Sequence, residues 1–302
     1  MDASIIIPTL NGGAEFIECT KSILGQEFPG SFEVILIDSE SSDGCLEQAV
    51  ELLQKKKVDH RLIPILRKNF QHGSTRNEAA KHARGKYLVY LTQDSIPHQP
   101  DWLAQLLNPY SLDPEIVGTF GRHVAHRGHP TLLGRNLDYH FNYMNSQPLR
   151  HMGDPQVYED HEQVRQFLHF FSNNNSSMRK AQWDICPFPD VDFGEDQTWA
   201  KIAIESGKKI YYCHNSVVRH SHCYGIRESR NRAVVEMQYY YQYFGYDISQ
   251  KPKNFLKFVA CAIYNDVLWM CKERQLNWPN LYSAVCSHLG GALGRSFYPK
   301  KP

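Results

Sequence analysis

Gly85-Lys86-Tyr87-Leu88-Val89-Tyr90-Leu91-Thr92-Gln93-Asp94-Ser95-Ile96-Pro97 is the stretch on which the rest of the chain is read. Tyr87 to Leu91 is a short, almost unbroken apolar run, the pattern of a central parallel strand covered on both faces. Gly85 marks its start and Pro97 forbids its continuation. The charge comes at the C-terminal end, at Asp94. In an open α/β sheet that end faces the ligand, so the carboxylate suits a metal or ligand group; simple capping of the turn is the alternative.

Upstream, Ser4-Ile5-Ile6-Ile7 reads as a first buried strand, stopped by Pro8 and followed by the polar loop Thr9-Leu10-Asn11-Gly12-Gly13. A helix is predicted near 14–24. Val34-Ile35-Leu36-Ile37 is a second strand, ending on Asp38, and the turn Ser39 to Gly44 leads into a helix near 45–54. A weaker strand over 61–66 precedes Phe70-Gln71-His72-Gly73-Ser74-Thr75-Arg76-Asn77, which enters a helix over 74–83. Beyond Asp94, a helix near 101–107 and a strand near 116–121 follow. Strands alternating with helices of about ten residues predict βαβ units, hence an α/β fold with a mostly parallel sheet flanked by helices.

From Arg122 to about Gln166 the pattern breaks, and the segment reads as a long excursion over the active face. Residues 172–177 are polar and 178–184 suit a short helix. A strong helix is predicted over 196–206 with Trp199, Ile202 and Ala203 inward, ended by Gly207. Strands over 209–213 and 216–219 lead to His220-Ser221-His222. Past Tyr224 the pattern is helical, near 227–244, 254–272 and 279–293. The expected division is therefore 1–225 and 226–302. The stretch Phe255 to Met270 is rich in large apolar residues; packing of a helical subdomain on the sheet is the plain reading, and a peripheral membrane or partner surface the competing one.

Thirty-three Lys and Arg against 32 Asp and Glu leave a formal charge of +1, which offers nucleic acid no whole-chain field. The eight cysteines are scattered, with no C-x-x-C pair, and no run of 18 apolar residues occurs. With no basic, apolar leader at the start, this predicts a protein of the reducing cytoplasm.

Polar groups recur at the predicted strand ends: Thr9 to Asn11, Asp38, Asp94 and His220, joined by Glu195-Asp196 at a helix start. In one crevice they would supply a divalent cation site and a base. Mg²⁺ or Mn²⁺ neutralises charge on a departing nucleoside diphosphate. Asp94 and His220 are acceptable ligands, and Asp196 is the candidate base for an attacking hydroxyl. Asp38 suits a base or ribose and Arg76 a phosphate or base. A solvated helix position for Arg76, an N-cap for Asp43 and a merely neighbouring His222 are the plainer readings. A zinc site from Cys213, His220, His222 and Cys223 matches no finger spacing.

Ser4-Ile5-Ile6-Ile7-Pro8-Thr9-Leu10-Asn11, Ile37-Asp38-Ser39-x-Ser41-Ser42-Asp43-Gly44, Thr75-Arg76-Asn77 and Leu91-Thr92-Gln93-Asp94 resemble, in order, the motifs of the family-2 inverting glycosyltransferases. Gly194-Glu195-Asp196 is similar to that family's acidic pair, and His220 to a metal-binding histidine of some members. The resemblance covers about 3–225 and implies a GT-A fold with a C-terminal helical extension. It implies Asp196 as base, and Thr9, Asn11, Asp38, Arg76, Gln93 and Asp94 on the nucleotide-sugar. It further implies Asp94 and His220 on Mn²⁺ or Mg²⁺, and Glu195, Arg122 and Trp199 toward the acceptor.

Phe70-x-His72-Gly73-x-Thr75-Arg76-Asn77 with Thr92-Gln93-Asp94 is similar to the bacterial rhamnosyltransferase branch. That implies a hexosyltransferase moving L-rhamnose from dTDP-L-rhamnose to a glycan or lipid-linked acceptor of a surface polysaccharide, at the inner face of the cell membrane. Thr92 departs from the family's Asp-x-Asp, leaving one carboxylate for the metal. The alternatives are a transferase using a UDP- or GDP-sugar, a non-catalytic sugar-nucleotide-binding subunit, and a nucleotidyltransferase. The last is disfavoured because Pro8 to Ala14 holds no Lys or Arg for a triphosphate.

Overall fold

The computed structural model describes residues 1–249, 253 and 255–297. The apolar runs become the middle of a sheet. β1 (Ala3–Thr9) leads through α1 (Gly13–Leu24) to β2 (Phe32–Asp38), and α2 (Cys45–Lys55) to β3 (Asp59–Pro64). α3 (His72–Lys81) returns the chain to β4 (Tyr87–Tyr90). β1 pairs in parallel with β2 and β4, and β2 with β3, in a register that sets Thr9 opposite Asp38. Ile5, Ile7, Val34, Leu36, Val89 and Leu91 are enclosed beneath α1, α2 and α4 (Trp102–Leu107). This is the parallel half that the sequence predicts.

The other half is mixed. After the two-residue β5 (Ile96–Pro97) comes β6 (Ile116–Val124), then α5 (Thr131–Met144), the short β7 (Leu149–Arg150), α6 (Pro155–Asp160) and α7 (Glu162–His169). β8 (Ser176–Arg179) then inserts antiparallel between β4 and β6. α8 (Lys180–Ile185) and α9 (Glu195–Glu205) precede β9 (Lys209–Arg219). The order is β3-β2-β1-β4-β8-β6-β9-β5, with β7 also on β9.

Several expectations change here. The segment from Arg122 to Gln166 is not an open excursion: it holds the end of β6 and three helices. α6 even carries the standard start signal, since the Asp154 side chain accepts from the Gln156 N–H with Pro155 at the first helical position. The expected short helix at Met178 begins instead in β8, whose Ser-Ser-Met-Arg sequence is too polar to read as a central strand. It is tolerated because the Ser177 hydroxyl is matched to those of Thr119 (2.7 Å) and Tyr110 (2.9 Å). The two expected strands near 209–219 are one, with its register shifted opposite Gly121/Arg122. Ile202 is 37% exposed rather than inward.

The chain divides into two compact units, one of residues Met1–Val124 and Phe141–His220, the other of Ala125–His140 with the residues from Ser221 onward. The second contains α10 (Ile226–Tyr239), a π-helical turn Tyr240–Phe244, α11 (Phe255–Lys272) and α12 (Trp278–Phe297). Within it Leu132 is buried with Met270 and Ala284, and its N–H donates to the Asn280 side chain (3.0 Å). Arg135 pairs with the buried Asp266 (2.6 Å), which also meets His288 (2.7 Å). Gly290 and Gly294 let α12 approach α10: a Cβ on Gly294 would stand 2.6 Å from the Arg230 carbonyl oxygen. Among the described residues no helix is long and apolar enough to cross a membrane.

Candidate active site

β1 and β2 end side by side, and their loops are laced together. Asp38 accepts from the Thr9 hydroxyl (3.0 Å), the Ser41 hydroxyl (2.6 Å) and the Ser41 N–H (3.0 Å). Asn11, in the left-handed region at φ 47°, accepts from the Ser42 N–H (2.7 Å) while its own N–H donates to the Ser41 hydroxyl (3.0 Å). Asp43 accepts from Cys45 N–H (3.1 Å) at the start of α2 and from Gly13 N–H (3.0 Å) at the start of α1. The Cys45 thiol, and after it these two N–H donors, hold its carboxyl below the usual range. Asp43 thus caps and ties two helix starts.

The turn after β4 joins this cradle through Gln93. Its amide accepts from Leu10 N–H (2.8 Å) and donates to the Leu10 carbonyl (3.0 Å). Gly12 makes room for it, since a Cβ there would lie 2.8 Å from Gln93 Oε1. Gln93 therefore anchors the first loop with both ends of its amide. Asp94, next in sequence, points elsewhere: its Oδ2 is 3.6 Å from His220 Nε2, at the end of β9. Thr92, where the family pattern has its first acid, shares a 2.7 Å hydrogen bond with Ser95 inside the turn.

A hard carboxylate oxygen beside an imidazole nitrogen, both partly open to solvent, fits Mn²⁺ or Mg²⁺. His220 Nδ1 lies 3.3 Å from the Asn174 amide. The amide nitrogen faces Nδ1; an Asn174 amide rotated end for end would instead accept from Nδ1–H and turn the Nε2 lone pair toward a cation. A zinc set that includes Cys213 is ruled out by its burial against the Leu106 carbonyl in the core. His222 belongs to the second unit, where it stacks on Tyr224.

The acidic pair opens α9 after Gly194, whose left-handed φ of 71° a glycine adopts without strain. Asp196 accepts from its neighbour Gln197 N–H (2.8 Å) and from Asn173 N–H (3.1 Å). Burial, and then the charge of Glu195, raise its pKa to about 7 against the pull of those two donors and of Arg76. Glu195 itself is 5% exposed and accepts from Arg76 (2.8 Å) and the Asn173 amide (3.0 Å). It braces the site from behind instead of facing an acceptor.

Arg76 is 2% exposed, so neither a solvated position nor an open phosphate contact describes it; its Nη1 donates to Glu195 and to the His72 carbonyl. Trp199 is fully enclosed against Phe171 and Phe188 and donates to the Cys186 carbonyl (3.0 Å), which makes it a core residue and not an acceptor contact. Arg122 lies on β6 with its guanidinium 3.4 Å from the His214 ring on β9.

What connects Asp196 to Asp94 and His220 is Asn173-Asn174-Asn175, a run that the sequence shows only as polar. Asn173 holds both acids of α9, Asn174 faces His220, and the fully buried Asn175 accepts from Trp102 (2.9 Å) and donates to the Ser216 carbonyl (2.8 Å). Three consecutive amides ahead of a strand were the available signal; being uncharged, they resemble a loop.

Residues 4–161 match glycosyl transferase family 2. The O-antigen chain rhamnosyltransferase RfbN of Salmonella typhimurium is 32% identical over 77% of this chain and 70% of its own. WbaN of Salmonella anatum, also an O-antigen chain rhamnosyltransferase, is 28% identical over 76% and 69%. The mannosyltransferase PcManGT from Pyrobaculum calidifontis, solved with GDP-Man and Mn²⁺, has a TM-score of 0.62 at 16% identity, covering 96% of this chain and 85% of that one. S. aureus TarS 1–349 in complex with UDP-GlcNAc has 0.55 at 17%, covering 97% and 90%. At these identities the solved structures show the fold, which is GT-A-like with C-terminal helices.

Proposed function

The chain belongs to glycosyl transferase family 2 and is a glycosyltransferase; from that premise we propose an inverting, metal-dependent transfer of L-rhamnose from dTDP-L-rhamnose. The acceptor is a hydroxyl of a glycan or lipid-linked saccharide in bacterial surface polysaccharide synthesis, at the inner face of the cell membrane. The observation that carries the reading is Asp196: a partly buried carboxylate, oriented by two backbone N–H groups, with its pKa near 7, tied through the adjacent Asn173 and Asn174 to His220, which lies 3.6 Å from Asp94. The Salmonella relatives support rhamnose.

Asp196 takes the proton of the acceptor hydroxyl. The oxygen then attacks the anomeric carbon from the face opposite the diphosphate, whose bond to carbon breaks, so the configuration inverts. A base with a pKa near ambient pH is deprotonated often enough and remains strong enough to assist; such a group contributes about 10²- to 10⁴-fold. Arg76 holds the Glu195 carboxylate in place, and Asn173 orients both carboxylates of α9. Asp94 and His220 would hold Mn²⁺ or Mg²⁺, which when bound offsets charge on the departing diphosphate. The loops at Thr9, Asn11 and Asp38 hold the nucleoside, with Gln93 keeping the first of them in place.

Calorimetric titration of dTDP, UDP and GDP, each with and without Mn²⁺, tests this. Tighter binding of dTDP with metal, followed by turnover of dTDP-rhamnose, is the expected result. Preference for UDP or GDP, the nucleotides of the solved neighbours, would keep the transferase and discard rhamnose. Absence of binding to all three would reduce the likeness to one of fold.

A further inference from the structure

We infer that the outward face of α11 rests on an anionic lipid surface. A surface helix ordinarily turns polar residues outward. α11 does the opposite. Its eighteen residues include only three charges, Lys257, Asp266 and Lys272, and Asp266 is buried with Arg135 and His288. The exposed positions Lys257, Cys261, Tyr264, Leu268 and Lys272 follow one another at helical spacing along one stripe. Leu256 is 78% exposed, Tyr264 61% and Leu268 50%. Just past the helix, Leu276 and Trp278 are also exposed, at 53% and 74%.

Charge selects the occupant. The stripe is apolar in its middle and basic at its ends, with Lys253 and Lys257 before it and Lys272 and Arg274 after it, all exposed; Glu273 is the one acid among them. A second copy laid antiparallel on this face would set Lys257 against Lys272, like against like. Anionic headgroups would meet both ends favourably while the chain-like stems of the lysines reach past the apolar residues. A helix with an apolar face, lysine flanks and a nearby Trp lies in the interface plane. It does not span, consistent with no described helix being able to cross a membrane.

The test is sedimentation of the full chain with vesicles of phosphatidylcholine alone and with about 30% phosphatidylglycerol. Transfer is not read, so this result stands apart from the proposed activity. The expected outcome is binding to the anionic vesicles only, weakened by salt. Leu268→Glu and Tyr264→Glu should each reduce it by roughly tenfold or more. Lys257→Gln and Lys272→Gln should each reduce it by about fivefold. All four positions are exposed, and unchanged thermal unfolding of each variant serves as the folding control. Equal binding to neutral vesicles, no binding, or binding untouched by Leu268→Glu would overturn the inference. So would a dimer in light scattering that Leu268→Glu splits, which would assign the face to a second copy.

Discussion

Asp196 is pulled in two directions. Burial and Glu195 favour its neutral form, while two N–H donors and Arg76 favour the anion, and the former win. Its pKa therefore lies near 7 when folded against an ordinary 3.8. Transfer should accordingly rise with pH and level off above about 7, and Asp196→Asn should lower it by at least about 10²-fold. A flat profile from pH 5 to 8 would remove Asp196 as base. The same shift has a sign for stability. Between about pH 4 and 7 the folded state holds a proton that the unfolded state has lost, so stability falls as pH rises through that window. Urea unfolding at pH 5 and 8 should show wild type losing more than about 1 kcal/mol relative to Asp196→Asn, the worth of less than one pKa unit.

Arg76 is the second residue with a definite outcome. Arg76→Gln leaves Glu195 buried without its cation, a loss of roughly 3–5 kcal/mol for a broken buried pair. A melting temperature within a few degrees of wild type would show the pair to be dispensable. Asp38, Asp94 and Asp196 could be picked from the sequence because each is a charge at the end of an apolar run or the start of a helix. Arg76 could be noticed but not understood, since its partner lies 119 residues away.

Elements were legible where periodicity and burial agree. β1, β2 and β4 are buried on both faces, and α9 has an apolar side between two glycines. β8 failed that test because its place in the middle of the sheet is secured by matched hydroxyls and not by apolar bulk. The strand that receives it shows how closely this region is fitted. Gly121 on β6 sits where a Cβ would run into the Asn175 amide and the Ser216 carbonyl. Gly121→Ala must push Asn175 away, and with it the two asparagines that hold the acids and His220. Overpacking of this kind costs about 1–3 kcal/mol. The expected result is a loss of metal-dependent nucleotide binding that outlasts correction for folding, measured at a temperature where the variant is fully folded. Binding equal to wild type would mean that the triplet does not depend on its register with β6.

At the scale of the whole chain, a boundary near 225 followed from the change to helical periodicity, but the segment Ala125–His140 belongs with the later helices. Nothing local announces this. Leu132 and Arg135 look like ordinary members of an amphipathic helix until Met270, Ala284, Asn280 and Asp266 are seen to complete them. A chain ended after Gly225 keeps every strand yet leaves Leu132 bare, its N–H without the Asn280 oxygen, and Arg135 without its carboxylate. An exposed apolar position and two stranded polar groups favour association, so the soluble yield should fall by roughly tenfold or more. Restoring residues through Phe297 should recover it. A soluble, monomeric chain of 225 residues that binds nucleotide diphosphate as the full chain does would instead return Ala125–His140 to the first unit, and place the division where periodicity alone had put it.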